Sequence, residues 1–236
     1  MNARHDVELT REWVRAGTAH FRASLDALSD EQLREPSALP DWTRAHVVAH
    51  VARNAEALVR LATWARTGVE TPMYATPEQR ADDIEQSATY SADTLRAEFV
   101  TTADGLAAAF QGLTDDQWSA TVRSALGREI PAAEVPWMRV REVWLHAVDL
   151  DAGARVEDLP AEAVDVLIED VVTVLSGKNG CPDVLLAPSD RSGTWRLGSD
   201  TADLPRVSAS ATVIAGWLTG RVAPGALPAP ALPRWI

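Results

Sequence analysis

Two short segments of the chain each carry a pair of potential metal ligands four residues apart. The first pair is His46 and His50, and the second is Glu142 and His146. In an α-helix, residues i and i+4 lie on the same face, one turn apart. If the two helical faces meet inside a bundle, imidazoles and a carboxylate converge. Two histidines and one glutamate form a ligand set that catalytic zinc uses when it keeps a fourth position open.

The segment from about 136 to 151 is expected to be the helix that carries the second pair, with a proline well placed in its first turn. Around this helix, polar and apolar residues separate onto two sides. The polar side holds Arg139, Glu142, His146 and Asp149, and the apolar side holds Trp137, Val140, Trp144, Ala147 and Val148. Two interpretations remain open. The polar side faces water, or it faces a metal while the tryptophans pack on another element, such as a second domain.

The first pair is similarly ambiguous. His50 lies about 40° closer than His46 to the apolar stripe of its helix, which is formed by Val47, Val51 and Leu58. His50 is therefore the better candidate for an inward position. A single histidine beside an apolar stripe is more often a hydrogen-bonded structural residue, and His46 could orient a ligand or partner instead of binding a metal.

The elements that must position these residues are predicted from hydrophobic periodicity and from capping and turn residues. Four helices joined by short connections indicate a bundle, over residues 7–28, 43–67, 77–113 and 136–151. The third of these could break near residues 90–93, with Asp93 as a cap. Beyond Gly153 we expect two more helices at 160–175 and 211–218, with short strands at 184–187, 194–197 and 206–209. The predicted fold class is α+β: a helical bundle over 1–152 and a small α+β domain over 153–236.

Charge and hydropathy exclude some classes of partner and compartment. A net charge of −12 argues against a nucleic-acid partner, because phosphates repel an acidic surface. No apolar run approaches the ~20 residues that span a bilayer, and the first residues lack the apolar stretch of a secretory signal. We therefore expect a cytoplasmic protein with neither a nucleic-acid nor a membrane partner, and we expect it to be a monomer. Cys181 is the single cysteine, and its expected loop position without a nearby histidine indicates a structural or incidental thiol.

The chain resembles the mycothiol-dependent maleylpyruvate isomerases, which belong to the wider DinB-like group of thiol-dependent metalloenzymes. The resemblance extends from end to end. Its strongest part is the run from Trp137 to Leu150, and the segments 41–52, 70–74, 220–221 and 233–236 support it. It implies a DinB-like four-helix bundle followed by a smaller α+β domain.

The resemblance also implies the site. Zinc would bind three protein ligands, which map to His50, Glu142 and His146, with water in the open position. An arginine important for the reaction maps to Arg221 in the C-terminal domain, where it would hold a substrate carboxylate. The alternative for Arg221 is a cation that interacts with the carboxyl end of a helix.

The reaction implied is the cis–trans isomerisation of maleylpyruvate to fumarylpyruvate in gentisate degradation. Rotation about the central C=C bond requires its bond order to fall, which the addition of a thiolate achieves. Because the chain offers no convincing thiol of its own, mycothiol would supply it. Zinc would either lower the pKa of that thiol or polarise the substrate carbonyl. The sequence leaves three alternatives: a mycothiol S-transferase for another electrophile on the same scaffold, a metal-binding module without enzymatic activity, and a purely structural bundle.

Overall fold

The computed structural model describes residues 3–199, 203–222, 225 and 227–235. By the density of contacts, the chain divides into two compact units, Met1–Ala154 and Arg155–Ile236. The boundary expected after residue 152 lies two residues before this division. That the two units are independent domains stays a prediction.

The first unit consists mainly of helices. Its elements are α1 (Val7–Asp26), α2 (Arg44–Thr67), α3 (Pro77–Ala88), α4 (Ala92–Gln111), α5 (Asp115–Trp118), the strands β1 (Thr121–Arg123) and β2 (Glu129–Pro131), and α6 (Val135–Asp149). Helix α2 packs against α4 and α6, α1 packs against α6, and α3 packs against α2. Helices α1, α2, α4 and α6 therefore form the predicted four-helix bundle, and β1 and β2 form an antiparallel hairpin between α5 and α6.

Capping residues set the helix boundaries. Thr43 precedes α2, and Gly68 ends it in the left-handed conformation at φ 72°. The helix predicted over 77–113 breaks at residues 89–91, close to the break considered at 90–93, and the Ser91 side chain accepts a hydrogen bond from the backbone N–H of Thr94. The cap of α4 is thus Ser91 and not Asp93. Serine accepts from the free N–H groups of a first turn as well as aspartate does.

The tryptophan side of α6 packs on α1. The Trp144 indole N–H donates to the Trp13 carbonyl at 3.1 Å, and the Trp13 and Trp137 rings meet edge to face at 6.2 Å. A Cβ added at Gly17 of α1 would lie 2.5 Å from the Trp144 ring, so glycine is what lets the two helices approach. The apolar side of α6 is thus covered within the first unit, and the second domain is not needed to cover it.

The second unit combines two helices with a small sheet. Its elements are α7 (Ala161–Ser176), β3 (Val184–Leu186), β4 (Trp195–Leu197), β5 (Arg206–Val207) and α8 (Ala211–Leu218). The strand order is β4-β3-β5, with β3 antiparallel to β4 and parallel to β5. The predicted helices and strands of this region are confirmed, and the α+β class with them. The sequence also predicts an extended, proline-rich tail over 224–233, and part of it falls on residues outside the described ranges.

Within the described residues, none of the helices combines the length and apolar character that crossing a bilayer requires.

Candidate functional site

Helices α2 and α6 bring three of the predicted site residues together. His50 Nε2 lies 2.8 Å from Glu142 Oε2, and His146 Nε2 lies 3.3 Å from the same oxygen. One potential ligand atom from each of the three residues falls within 4.8 Å of the other two. The His50 and His146 rings stand almost perpendicular, at 86°, with centroids 4.7 Å apart. The spacing of four residues on α6 and the packing of α2 against α6 together produce this cluster.

The polar side of α6 faces the interior of the bundle. Arg139 and Asp149 on that side are 0% and 1% exposed, and His50 on the facing helix is 5% exposed. Of the two interpretations of α6, the structure therefore supports the inward one. His50 is also the inward member of its pair, as predicted from the apolar stripe.

Asp149 fixes the orientation of His146. Its Oδ2 lies 2.8 Å from His146 Nδ1, so that Nδ1–H donates to the carboxylate and Nε2 points toward Glu142. Burial alone would lower the pKa of His146, but its hydrogen bonds to Asp149 and Glu142 raise the pKa above the ordinary value. A carboxylate on the second ring nitrogen is the usual support of a histidine that ligates a metal.

His50 and Glu142 are biased toward the forms that a metal requires. Burial lowers the pKa of His50 despite its hydrogen bond to Glu142, and this favours the neutral imidazole. Burial opposes ionisation of Glu142, but its hydrogen bonds to His146 and His50 hold the pKa of the carboxyl well below its usual range. The site therefore presents an anionic oxygen together with one imidazole that is neutral at pH 7.

The three donors suit a zinc ion. Nitrogen and oxygen ligands of tetrahedral zinc lie about 2.0–2.2 Å from the metal and hence roughly 3.3 Å from one another. The observed separation of His146 and Glu142, 3.3 Å, equals that value, and the separation of His50 and Glu142, 2.8 Å, is shorter. Three protein ligands leave the fourth position available, which is the arrangement of catalytic rather than structural zinc.

Arg80 and Tyr74 lie on the side of His50 that faces α3. From α3, Arg80 Nη2 lies 3.2 Å from His50 Nδ1, and its guanidinium carbon lies 5.6 Å from the centre of the Tyr74 ring. Tyr74 belongs to the connection between α2 and α3, and burial raises the pKa of its phenol. In the sequence, Tyr74 was visible only as part of a family motif, and nothing there pointed to Arg80.

Arg139 joins α6 to α2 one turn before Glu142. Its Nη1 donates to the Val51 carbonyl at 2.7 Å and to Asn54 Oδ1 at 3.0 Å. Its buried Nη2 has no hydrogen-bond partner among the described residues. Burial lowers the pKa of Arg139 to about 10, so the guanidinium is still a cation at neutral pH.

His46 does not belong to the cluster of ligand candidates and contacts other residues. The Thr43 backbone N–H donates to His46 Nδ1 at 3.2 Å, and His46 Nε2 lies 3.2 Å from Glu85 Oε2. The Trp42 ring lies over both histidines of α2, 6.2 Å from the His46 ring and 5.5 Å from the His50 ring. His46 thus helps to begin α2 and to hold Trp42 beside the cluster.

The remaining candidates belong to the second unit. Arg221 follows α8, and its Nη1 donates to the Thr219 carbonyl at 2.9 Å, a contact with the end of that helix. Its role in the reaction stays a prediction. Burial, and then the neighbouring Asp183, raise the pKa of Cys181, which keeps this thiol protonated and makes it a poor nucleophile.

The site residues whose signal lies within one helix were predictable from the sequence. The i+4 pair on α6 and the i+3 spacing to Asp149 are visible in the order of the residues. The contact between Arg80 and His50 joins residues 30 positions apart on different helices. Neither the hydrophobic periodicity nor a sequence motif predicts it.

Comparison with known proteins supports the same family. The family model described as "Mycothiol maleylpyruvate isomerase N-terminal domain" matches residues 14–151. A crystal structure of the mycothiol-dependent maleylpyruvate isomerase is 36% identical, with a TM-score of 0.92 and full coverage of both chains. A histidine-to-alanine mutant of the enzyme so named is 35% identical, also with a TM-score of 0.92 and full coverage of both chains.

One more structure is similar in fold alone. YfiT from Bacillus subtilis, which has an unusual four-helix bundle topology, is 19% identical with a TM-score of 0.51, over 61% of this chain and 85% of that one. No curated protein matches the sequence. With a family match over more than half of its length and a full-length structural match at 36% identity, the chain belongs to the family of mycothiol-dependent maleylpyruvate isomerases.

Proposed function

We propose that the protein isomerises maleylpyruvate to fumarylpyruvate, with mycothiol as the thiol cofactor and a zinc ion held by His50, Glu142 and His146. The observation that carries this proposal is the convergence of those three side chains from α2 and α6. Family membership supports the substrate and the thiol, since the full-length relatives are named for both.

Each residue has a definite task in this proposal. Two imidazoles and one carboxylate leave a divalent zinc with one uncompensated positive charge, which favours an anionic thiolate or enolate beside it. Asp149 orients His146 through the bond between Oδ2 and Nδ1. Trp42 covers His50 on one side and limits the access of water.

The nucleophile is external to the chain. When bound, mycothiol would supply a thiolate for reversible addition to the conjugated C=C bond, so that no thiol would be consumed overall. Cys181 is not a substitute, because the raised pKa of its thiol keeps it protonated. Arg221 remains the arginine that the family resemblance assigns to the reaction, as a group that binds a substrate carboxylate.

The test combines metal analysis with a spectroscopic assay. We expect one zinc per chain after purification without chelator, and a mycothiol-dependent change in the absorbance of maleylpyruvate at substoichiometric thiol. Cys181→Ala should behave as wild type and serves as the control for an internal thiol.

The alternatives give different results in the same assay. A mycothiol S-transferase would consume one thiol per product and leave an adduct. A metal-binding module would hold zinc that thiols do not perturb, and a structural bundle would hold no stoichiometric metal. Any of these outcomes would refute the isomerase proposal.

A further inference from the structure

Two arginines tie α2 and α6 together through backbone carbonyl groups. From the first residue of α2, Arg44 Nε donates to the Leu150 carbonyl at 2.6 Å, directly after the end of α6. From a position near the start of α6, Arg139 Nη1 donates to the Val51 carbonyl of α2 at 2.7 Å. The two helices therefore run in opposite directions, and each arginine holds one helix to the backbone of the other.

The three ligand candidates lie between these two contacts. On α6, Glu142 and His146 fall between the contact points, and on α2 so does His50. Since His50 directly precedes Val51, the bond to the Val51 carbonyl holds the backbone of α2 beside the point from which the imidazole extends. The spacing of the helices at this level determines how far His50 Nε2 lies from Glu142 Oε2, which is 2.8 Å.

Stability does not explain the burial of Arg139. The side chain is fully buried and forms no ion pair with a carboxylate among the described residues, and its Nη2 has no hydrogen-bond partner among them. Burial of a cation without an ionic partner is unfavourable, and apolar residues of similar volume often stabilise a fold as well or better. What the guanidinium supplies is geometry, because Nη1 donates to two fixed acceptors on α2, the Val51 carbonyl and Asn54 Oδ1.

We propose that Arg139 is a positioning residue that sets the spacing of α2 and α6 at the three ligand candidates and thereby the affinity for the metal. This inference rests on the ligand set of the proposed function. Arg139 acts through the backbone of α2 and touches neither the metal nor the substrate. A functional site has to hold its groups to within about 0.5 Å, and a planar guanidinium with two acceptors, one turn before Glu142, provides such a fixed spacing.

The position and the charge of Arg139 act on zinc affinity in opposite directions. The loss of a cation one turn from Glu142 would by itself tighten the binding of another cation. The loss of the fixed spacing would weaken it, as the loss of residues that support metal ligands does. Weaker zinc binding in a variant without the charge is therefore not an electrostatic effect.

The experiment uses the full chain, stripped of metal and titrated with zinc against a chromophoric chelator. The double variant Asn54→Leu/Arg139→Met leaves neither member of the side-chain contact buried and unpaired, so the metal-free chain should keep the urea midpoint of the wild type. We expect its zinc affinity to fall by roughly tenfold. Arg139→Lys keeps the charge and a donor but not the planar guanidinium, and its zinc affinity should lie between those of the double variant and the wild type.

Arg53→Met is the matched control. Arg53 is also an arginine of α2 that bonds to another helix, but its Nη2 donates to Glu98 of α4 at 2.7 Å. The control therefore loses a charge and an interhelical contact without changing the contact between α2 and α6, and it should bind zinc like the wild type. Cobalt(II) in place of zinc gives a second readout, since its visible absorption depends on the coordination geometry. We expect the absorption to change in the double variant and not in Arg53→Met.

Three results would overturn the inference: zinc affinity in the double variant that equals or exceeds that of the wild type, an equal loss in Arg53→Met, or a lowered urea midpoint with an unchanged cobalt spectrum, as expected of a purely structural residue. If the double variant does not fold, wild-type zinc affinity in Arg139→Lys would overturn it. A wild-type chain that binds no zinc would refute this inference and the proposed function together. Zinc binding that depends on Arg139, without any isomerisation, would refute the proposed function alone.

Discussion

His50 and His146 differ in what their second ring nitrogens contact. His146 Nδ1 faces the carboxylate of Asp149 at 2.8 Å, and His50 Nδ1 faces the guanidinium of Arg80 at 3.2 Å. The first contact orients a histidine in the way usual for a metal ligand, and the second places a cation beside the other histidine. The two histidines are therefore not equivalent, although each comes from an i and i+4 pair.

Removal of His50 should remove metal and activity together. We expect His50→Ala to lower zinc affinity by more than about 100-fold, since the loss of residues that merely support a ligand already costs about 10–100-fold. Zinc content and turnover measured on one preparation test this. His46→Ala is the control, because His46 bonds to Thr43 and Glu85 instead, and it should keep its zinc. Full zinc and full turnover in His50→Ala would show that the ligand assignment is wrong.

The support of His146 can be tested with a variant of nearly the same shape. Asp149→Asn removes the charge that faces Nδ1, and we expect zinc affinity to fall about 10–100-fold, as measured by chelator competition. Asp151→Asn changes a carboxylate whose side chain is 75% exposed, and it should bind zinc like the wild type. Equal affinity in the two variants would contradict the role given to Asp149.

At the scale of elements, α6 is the helix on which both the core and the site depend. One side packs on α1 through Trp137 and Trp144, and the other presents Glu142 and His146 to α2. The close approach of α1 at Gly17 fixes the first side, and the buried Arg139 bonds that reach α2 fix the second. The helix is thus held from both sides before any metal binds.

The approach of α1 to α6 makes a direct prediction. Gly17→Ala places a Cβ 2.5 Å from the side chains of Trp144 and Val143, and we expect a loss of about 1–3 kcal/mol in the free energy of unfolding. Gly105→Ala on α4 is the control, because nothing lies within 4 Å of its added Cβ, and alanine there should stabilise the helix by up to about 1 kcal/mol. Urea denaturation measures both, and a stabilised Gly17→Ala would contradict the close packing of α1 on α6.

The turn before α6 gives a prediction about pH. Glu134, 2% exposed, accepts from Arg128 and lies 3.2 Å from His5. Burial would raise the pKa of its carboxyl, but these bonds hold the pKa below the ordinary value of 4.5. A lowered pKa in the folded state stabilises the fold above the ordinary pKa, and this stabilisation is lost as pH falls through the folded pKa.

We therefore expect Glu134→Gln to lower the free energy of unfolding at pH 7 by about 1–2 kcal/mol. The effect is limited because the side chain of its partner Arg128 is roughly half exposed, and solvent screens the pair. The difference should shrink as pH falls below about 4.5. Denaturation at pH 7, 5 and 4 measures it. A difference that stays constant over this range would show that the Glu134 charge does not contribute.

At the scale of the molecule, the candidate metal site lies in the first unit and Arg221 lies in the second. The family resemblance gives Arg221 a part in the reaction, and its contact with the Thr219 carbonyl also suits a residue that ends α8. Arg221→Ala separates the two roles. If the residue binds substrate, zinc content stays at the wild-type level while kcat/KM falls by about 10–100-fold.

Arg206→Ala is a control for that variant, since Arg206 is an exposed arginine of the same unit. It should leave kcat/KM unchanged. Thermal denaturation of both variants checks folding. Kinetics of Arg221→Ala that match the wild type, with its thermal stability lowered, would reduce Arg221 to a structural residue.

The sequence by itself determined the helices, most of their boundaries, the α+β class and the family, because these follow from local periodicity, capping residues and a continuous motif on α6. It also determined which side of α6 is polar. It could not decide whether that side faces water or the interior, because an amphipathic helix looks the same in both cases. Only the packing of α1 against the tryptophans and of α2 against Glu142 and His146 decided it. The place of Arg80 at His50 was likewise beyond the sequence, since such a contact depends on how separate helices pack and not on the spacing within either one.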